Sequence, residues 1–192
     1  PIENHKTFIN SETYRIAVKM DKLLQELLQP VSVELDGKYP IFIPSSTFNT
    51  VFLAFHAAQH YARGLALHHL CDWACLLNRY GLHIPEEVTD IRFRNMMLAM
   101  THLCNDYLGT SVPVYGGEGL AEEILWEIIR PPYTKFVPAK NKWSILVYKT
   151  KRMLHTHRVC NSVLRISLCK WVGNSILLHL RSPHTIFQTE RK

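Results

Sequence analysis

Residues 55–73 read F-H-A-A-Q-H-Y-A-R-G-L-A-L-H-H-L-C-D-W. Apolar residues run along both sides of Arg63-Gly64, which predicts two successive helices with a break or kink at the glycine. Into this otherwise apolar stretch the chain places His56, His60, His68, His69 and Asp72. Imidazole and carboxylate groups ligate metals, move protons and accept hydrogen bonds. Five of them where a core is being built mark the segment as the candidate site.

Working outward, Ser45, Ser46 and Thr47 offer N-caps for the first of these helices, which continues through Val51, Phe52, Phe55 and Ala58. The second spans 65 to 80 and stops at Gly81. Upstream, V-S-V-E-L-D-G-K-Y-P-I-F-I-P places two β-prone runs around Asp36-Gly37, a strong hairpin signal. Pro40 and Pro44 confine the second run to an edge. Before it, Ile16, Met20, Leu23, Leu24, Leu27 and Leu28 recur at helical spacing after Ser11 and Glu12, and Pro30 ends that helix. Downstream, Pro85 is the expected first residue of a helix that carries Met96, Met97 and Met100 to Gly109, with Glu86 and Glu87 at its positive end. The methionines read as core filler. A further helix covers 120 to 129, and one or two long helices cover 142 to 181, ending before Pro183. The predicted fold class is mainly α, a helical bundle with one small β-hairpin near residues 31–43.

The composition, 47% hydrophobic and 20% charged over 192 residues, suits one well-buried domain and excludes wholesale disorder. The net charge of +6 conceals an asymmetry. Residues 1–130 hold 10 Lys and Arg against 15 Asp and Glu, a net of −5. Residues 131–192 hold 12 against the single Glu190, a net of +11. The expected organisation is an acidic helical core with the hairpin, 1–130, and a basic helical C-terminal extension packed on it, 131–192. Either the two halves match each other, or the basic one faces solvent or an anionic partner such as nucleotide phosphate or nucleic acid.

Cysteines stand at 71, 75, 104, 160 and 169. The odd count, the helical neighbours and the lack of a secretory signal predict reduced thiols in a cytoplasmic protein. Cys71 and Cys75, one helical turn apart, read as small buried hydrophobes. No stretch of eighteen uncharged apolar residues occurs, so no membrane span is expected. The chain opens on Pro1 in mid-sequence character, as an excised fragment or processed product would.

His56 and His60, four apart, share a helix face and could grip one metal. The zinc-protease motif would require Glu where Ala57 stands. Helical metal-dependent phosphohydrolases use a His-Asp pair, whereas the adjacent pair here is His68-His69 and no second Asp follows in register. Either of these imidazoles can donate to Asp72 one turn on. The expectation is therefore a structural polar cluster with no metal and no catalytic residue. No G-x-S-x-G, dinucleotide fingerprint or Asp-x-Asp pair is present. In the basic half, Lys151, Arg158 and Arg165 recur every seven residues with Arg152 adjacent, and are the phosphate-binding candidates. Trp143 and Tyr148 are too sparse for a single-strand stacking platform.

The order V-x-V-x-L-D-G-x-x-x-I-F-I-P-S, then F-H-A-A-Q-H, then L-H-H-L-C-D-W-A-C-L-L resembles the C-terminal half of a bacterial family of uncharacterised nucleotidyltransferases, polymerase-β-like in its N-terminal half. The matching positions are His60, then Leu70 and Asp72, with His56 one turn earlier, and the resemblance covers roughly residues 30 to 110. It implies a catalytic sheet with a Gly-Ser turn and metal-binding carboxylates ahead of this region, using Mg²⁺ and a nucleoside triphosphate in the whole protein. No Gly-Ser pair and no Asp-x-Asp occurs in these 192 residues. The resemblance therefore implies a helical portion that is inactive alone and is partnered by an N-terminal catalytic region. A non-enzymatic helical module that binds nucleic acid through its basic helices is the alternative reading. A metal-dependent hydrolase built on the histidines is the third.

Overall fold

The computed structural model describes residue 8 and residues 15–130, 132–133 and 141–182. They form seven helices and one antiparallel hairpin, in the order α1 (Arg15–Leu27), β1 (Val31–Leu35), β2 (Tyr39–Ile43), α2 (Ser46–Gly64), α3 (Leu67–Tyr80), α4 (Ile91–Tyr107), α5 (Glu118–Ile129), α6 (Lys142–Val163) and α7 (Leu168–Arg181). The fold is mainly α with one hairpin, as the periodicity predicts. Ser11, Glu12, Pro183 and most of the 131–140 linker lie outside the described residues.

The bundle is organised around α2, which packs against α1, α3, α4, α5 and α6. Its small residues make this possible. Ala54, Ala57 and Ala58 are fully buried and let neighbouring backbones approach, while Phe55 and Tyr61 fill the space between them. Ser45 starts α2 by accepting a hydrogen bond from the Phe48 backbone N–H at 3.2 Å, and its own hydroxyl donates to the Leu27 carbonyl at 3.3 Å. One side chain thereby caps α2 and ties it to the end of α1.

Opposite α2, Trp73 of α3 is completely buried. Its Nε1–H donates to Thr101 Oγ1 of α4 at 3.1 Å, and that hydroxyl donates onward to the Met97 carbonyl at 2.9 Å. Every polar atom of this buried pair is thus used. Met96, Met97 and Met100 are wholly inside the core, as their spacing predicts. The segment 81–90 before α4 differs from the sequence expectation. Pro85 does not begin the helix; Asp90 does, accepting from the Arg92 and Phe93 backbone N–H groups at 2.9 and 3.3 Å. Residues 85–88 instead make one turn, closed by Val88 N–H to the Pro85 carbonyl, which drops Val88 into the core. A carboxylate cap outcompetes a proline start because it satisfies two otherwise orphaned amides.

α5 begins at Glu118, two residues before its predicted start, and is capped by Gly117, whose φ is 96°. A Cβ there would lie 2.8 Å from the Leu98 Cβ and 2.9 Å from the Ala99 amide nitrogen, so only glycine lets α5 meet α4 this closely. Of the one or two helices expected over 142–181, the described residues form two. α6 ends at Val163 and α7 starts at Leu168. Val159, Cys160, Val163, Leu164 and Ile166 enter the same core as the helices before residue 130.

The hairpin stands apart from this packing. Asp36 and Gly37 take the positive φ values, 53° and 65°, that its turn requires. The register pairs Val31 with Ile43, Val33 with Ile41 and Leu35 with Tyr39, so these residues share one face. Val31, Val33, Tyr39 and Ile41 nonetheless remain exposed, and among the described residues no helix packs broadly on either strand.

Candidate functional site

The last two turns of α2 and the first turn of α3 bring three imidazoles together. His56 and His60 sit four apart on α2, on the side away from Ala57, Ala58 and Tyr61, and both are exposed. Gly64, with φ 114°, ends α2 and lets the chain return within three residues. His69 then enters from α3 and is buried, with 6% of its surface accessible. Ring centroids lie 4.7 Å apart for His56–His60, 5.3 Å for His56–His69 and 4.8 Å for His60–His69. One nitrogen from each ring falls within 4.8 Å of the other two, and among the described residues this is the one such convergence of potential metal ligands.

His69 is fixed by its own helix terminus. Its Nδ1 lies 3.2 Å from the Ala66 amide nitrogen and 3.1 Å from the Ala66 carbonyl oxygen. At the third position of α3, it does what Glu or Gln does in a capping box, reaching back to the start of the helix. Its Nε2 is buried and has no hydrogen-bond partner. His68 is adjacent in sequence, with its ring 4.0 Å from that of His69, but it faces solvent and stays outside the triad. Asp72 is exposed as well and hydrogen-bonds to neither histidine, in contrast to the pairing expected one turn apart. The free backbone groups at the start of α3 compete for His69 and are closer. Asp72 acts on the cluster only through its charge.

Two of the imidazoles, His56 and His69, are held toward their neutral form. Burial lowers the pKa of His56 below its ordinary value, and the neighbouring His69 and His68 lower it further. Burial also lowers that of His69, against the Ala66 backbone contact, which raises it. Close to the triad, Cys71 and Cys75 are exposed, not the buried hydrophobes that their spacing suggested, because they fall on the solvent side of α3 opposite Trp73 and Leu77. Cys104 on α4 is the buried thiol; burial pushes its pKa up to about 12, and its Sγ lies 3.4 Å from the Leu70 carbonyl oxygen.

The phosphate-binding candidates do not assemble in one place. Lys151 and Arg158 lie seven apart on α6 and are exposed, and Arg152 beside them is half-buried. Arg165 falls beyond the end of α6, so the seven-residue line stops after two members. Arg165 instead reaches Asp90, Nε to Oδ2 at 3.5 Å. Arg158 lines a cleft with Tyr61, Glu123, Trp126 and Glu127. The acidic half also meets the basic half where His155 Nε2 lies 2.9 Å from Glu127 Oε1. Sequence reasoning offered a match between the two halves but could not name the pairs, because the acidic and basic residues that meet are far apart in the chain.

Three imidazoles without a paired carboxylate suit a borderline metal, not the hard Mg²⁺ ion that favours oxygen ligands. The residues present therefore do not fit a Mg²⁺ centre. Fold and site together define a helical bundle that presents a histidine cluster at the junction of α2 and α3. Residues 1–109 match the family described as uncharacterised nucleotidyltransferase, and the chain belongs to that family. The match includes the hairpin, both histidine-bearing helices and α4. No curated protein and no solved structure matches the chain. No helix among the described residues is long and apolar enough to cross a membrane.

Proposed function

We propose that this chain is the helical part of a nucleotidyltransferase and works beside a catalytic sheet that supplies the paired carboxylates. The observation that carries this reading is the family match over residues 1–109 in a chain that contains no Asp-x-Asp and no Gly-Ser pair. Two-metal nucleotidyl transfer needs closely spaced carboxylates to hold Mg²⁺ and the triphosphate, so on this reading both are bound mainly by the sheet. The uncovered hairpin supports it. An apolar face carrying Val31, Val33, Tyr39 and Ile41, whose outer strand edges pair with no other strand among the described residues, is a surface on which another sheet or helix can dock. His56, His60 and Asp72 would then form the helical wall beside the nucleotide. The free cysteines fit a reducing, cytoplasmic setting.

The test is an assay of the 192-residue chain with Mg²⁺ and each labelled nucleoside triphosphate, together with calorimetry. Weak or no nucleotide binding and no transfer are expected. Robust magnesium-dependent turnover by this chain would overturn the proposal.

A further inference from the structure

We propose that His56, His60 and His69 form a site for a divalent transition metal of the zinc type, joining α2 to α3 and leaving a fourth position open to solvent. The site stands on geometry independent of any role in nucleotide transfer. Tetrahedral zinc with nitrogen ligands at about 2.05 Å requires those nitrogens to lie about 3.3 Å apart. The three imidazole nitrogens already fall within 4.8 Å of one another, so rotation of the two exposed rings on α2 closes the remaining gap. His56 and His60 have the i, i+4 spacing by which one helix face supplies two ligands. His69 comes from the next element, as a site that clamps two helices requires.

The second observation is the state of His69. Its Nε2 is buried and lacks any hydrogen-bond partner, which is rare for a polar atom in a protein interior. Nδ1 lies within reach of both Ala66 backbone groups, accepting from the amide at 3.2 Å in one tautomer and donating to the carbonyl at 3.1 Å in the other; metal binding through Nε2 selects the second, in which Nε2 carries the lone pair. Metal-bound histidines commonly anchor their second nitrogen on a backbone carbonyl in this way, which orients the ring. A purely structural cluster would pair that nitrogen with a donor. A cation among the three rings would give the buried Nε2 of His69 the partner it lacks. Since His56 and His60 are exposed, the solvent side of the ion would carry water or an anionic oxygen ligand.

The experiment uses the 192-residue chain without an affinity tag, stripped with chelator and titrated with Zn²⁺ against a competing fluorescent chelator, then with Co²⁺. One ion per chain is expected, with the intense visible ligand-field bands of four-coordinate cobalt and a shift of those bands when azide is added. His56→Ala and His60→Ala alter exposed side chains, so both variants should fold, with circular dichroism as the check. Each should weaken zinc binding by more than about 100-fold, the upper range for losing merely an outer-shell partner. His68→Ala, and Cys71→Ser combined with Cys75→Ser, should leave the affinity within about threefold, as surface changes away from a site do. The proposal is overturned if the chain binds no stoichiometric zinc, if His56→Ala and His60→Ala leave binding unchanged, or if the cysteine variant abolishes it.

Discussion

At the level of single residues, His69 ties stability to pH. Its pKa and that of His56 are lowered in the folded chain, chiefly by burial. His60, His68 and Asp72 are the other titratable groups facing them, and the like-charged imidazoliums outweigh the one carboxylate. The unfolded chain therefore takes up protons more readily as pH falls below the ordinary histidine value of about 6.5. The stability contribution is fully present above that pH and is lost as pH drops toward the depressed folded values. His69→Gln isolates the effect, since Gln at the third helical position can also reach back to the Ala66 amide but does not titrate. Thermal melts from about pH 8 to about pH 5 should show a steeper loss in the parent than in the variant. Parallel curves would mean that another group controls the acid limb. The histidine positions were visible in the sequence, but their grouping was only half legible. The i, i+4 spacing showed that His56 and His60 share a face. Nothing in the spacing told His68 from His69, because the choice depends on how α3 turns after Gly64, a tertiary outcome.

Among the elements, two glycine- and hairpin-centred changes separate packing from docking. Gly117→Ala would force a Cβ to 2.8 Å from Leu98 Cβ at a φ of 96°. Overpacking and a left-handed backbone then act together, and urea unfolding should show a loss of about 1–3 kcal/mol. Ile41→Lys on the hairpin tests the opposite case. Ile41 is 38% exposed on a face that no helix covers broadly, so the stability of the isolated chain should stay within about 0.5 kcal/mol. A larger loss in urea would show that the hairpin is already part of the core, and would remove it as a docking surface. The elements themselves were readable wherever one signal dominated: Asp36-Gly37 for the turn, Ser45 for the α2 cap, Gly81 for the end of α3. They were misread where two local signals competed. Pro85 and Asp90 both offer a helix start, and the carboxylate prevails because it satisfies two amides. The break at residues 164–167 carries neither proline nor glycine. It forms as Leu164 and Ile166 turn into the core and the Asn161 side chain accepts the Ile166 amide at 3.2 Å.

For the molecule as a whole, the acidic and basic halves meet directly at a few contacts. Arg165 lies against Asp90, His155 against Glu127, and Arg92 donates to the Asn161 carbonyl at 2.6 Å and to its side-chain oxygen at 3.1 Å. The Arg165 pair is exposed and worth no more than about 1 kcal/mol. Even so, it holds that cation on the α4 side of the molecule, away from Lys151 and Arg158. Nucleic-acid binding by the basic helices, the alternative to a nucleotidyltransferase role, would then rest on two aligned cations and not four. Counterion release converts this difference into a number, since the slope of log K against log salt is about −0.9 per neutralised phosphate on duplex DNA. Two cations predict a slope of about −1.8, and four predict about −3.6. Fluorescence anisotropy with generic duplex DNA across a salt series should therefore give weak binding with the shallower slope. Lys151→Glu combined with Arg158→Glu should abolish it, while Arg165→Glu leaves the slope unchanged. A slope near −3.6 that falls on Arg165→Glu would mean that Arg165 leaves Asp90 for phosphate. The basic half would then be a binding surface and not the complement of the acidic one.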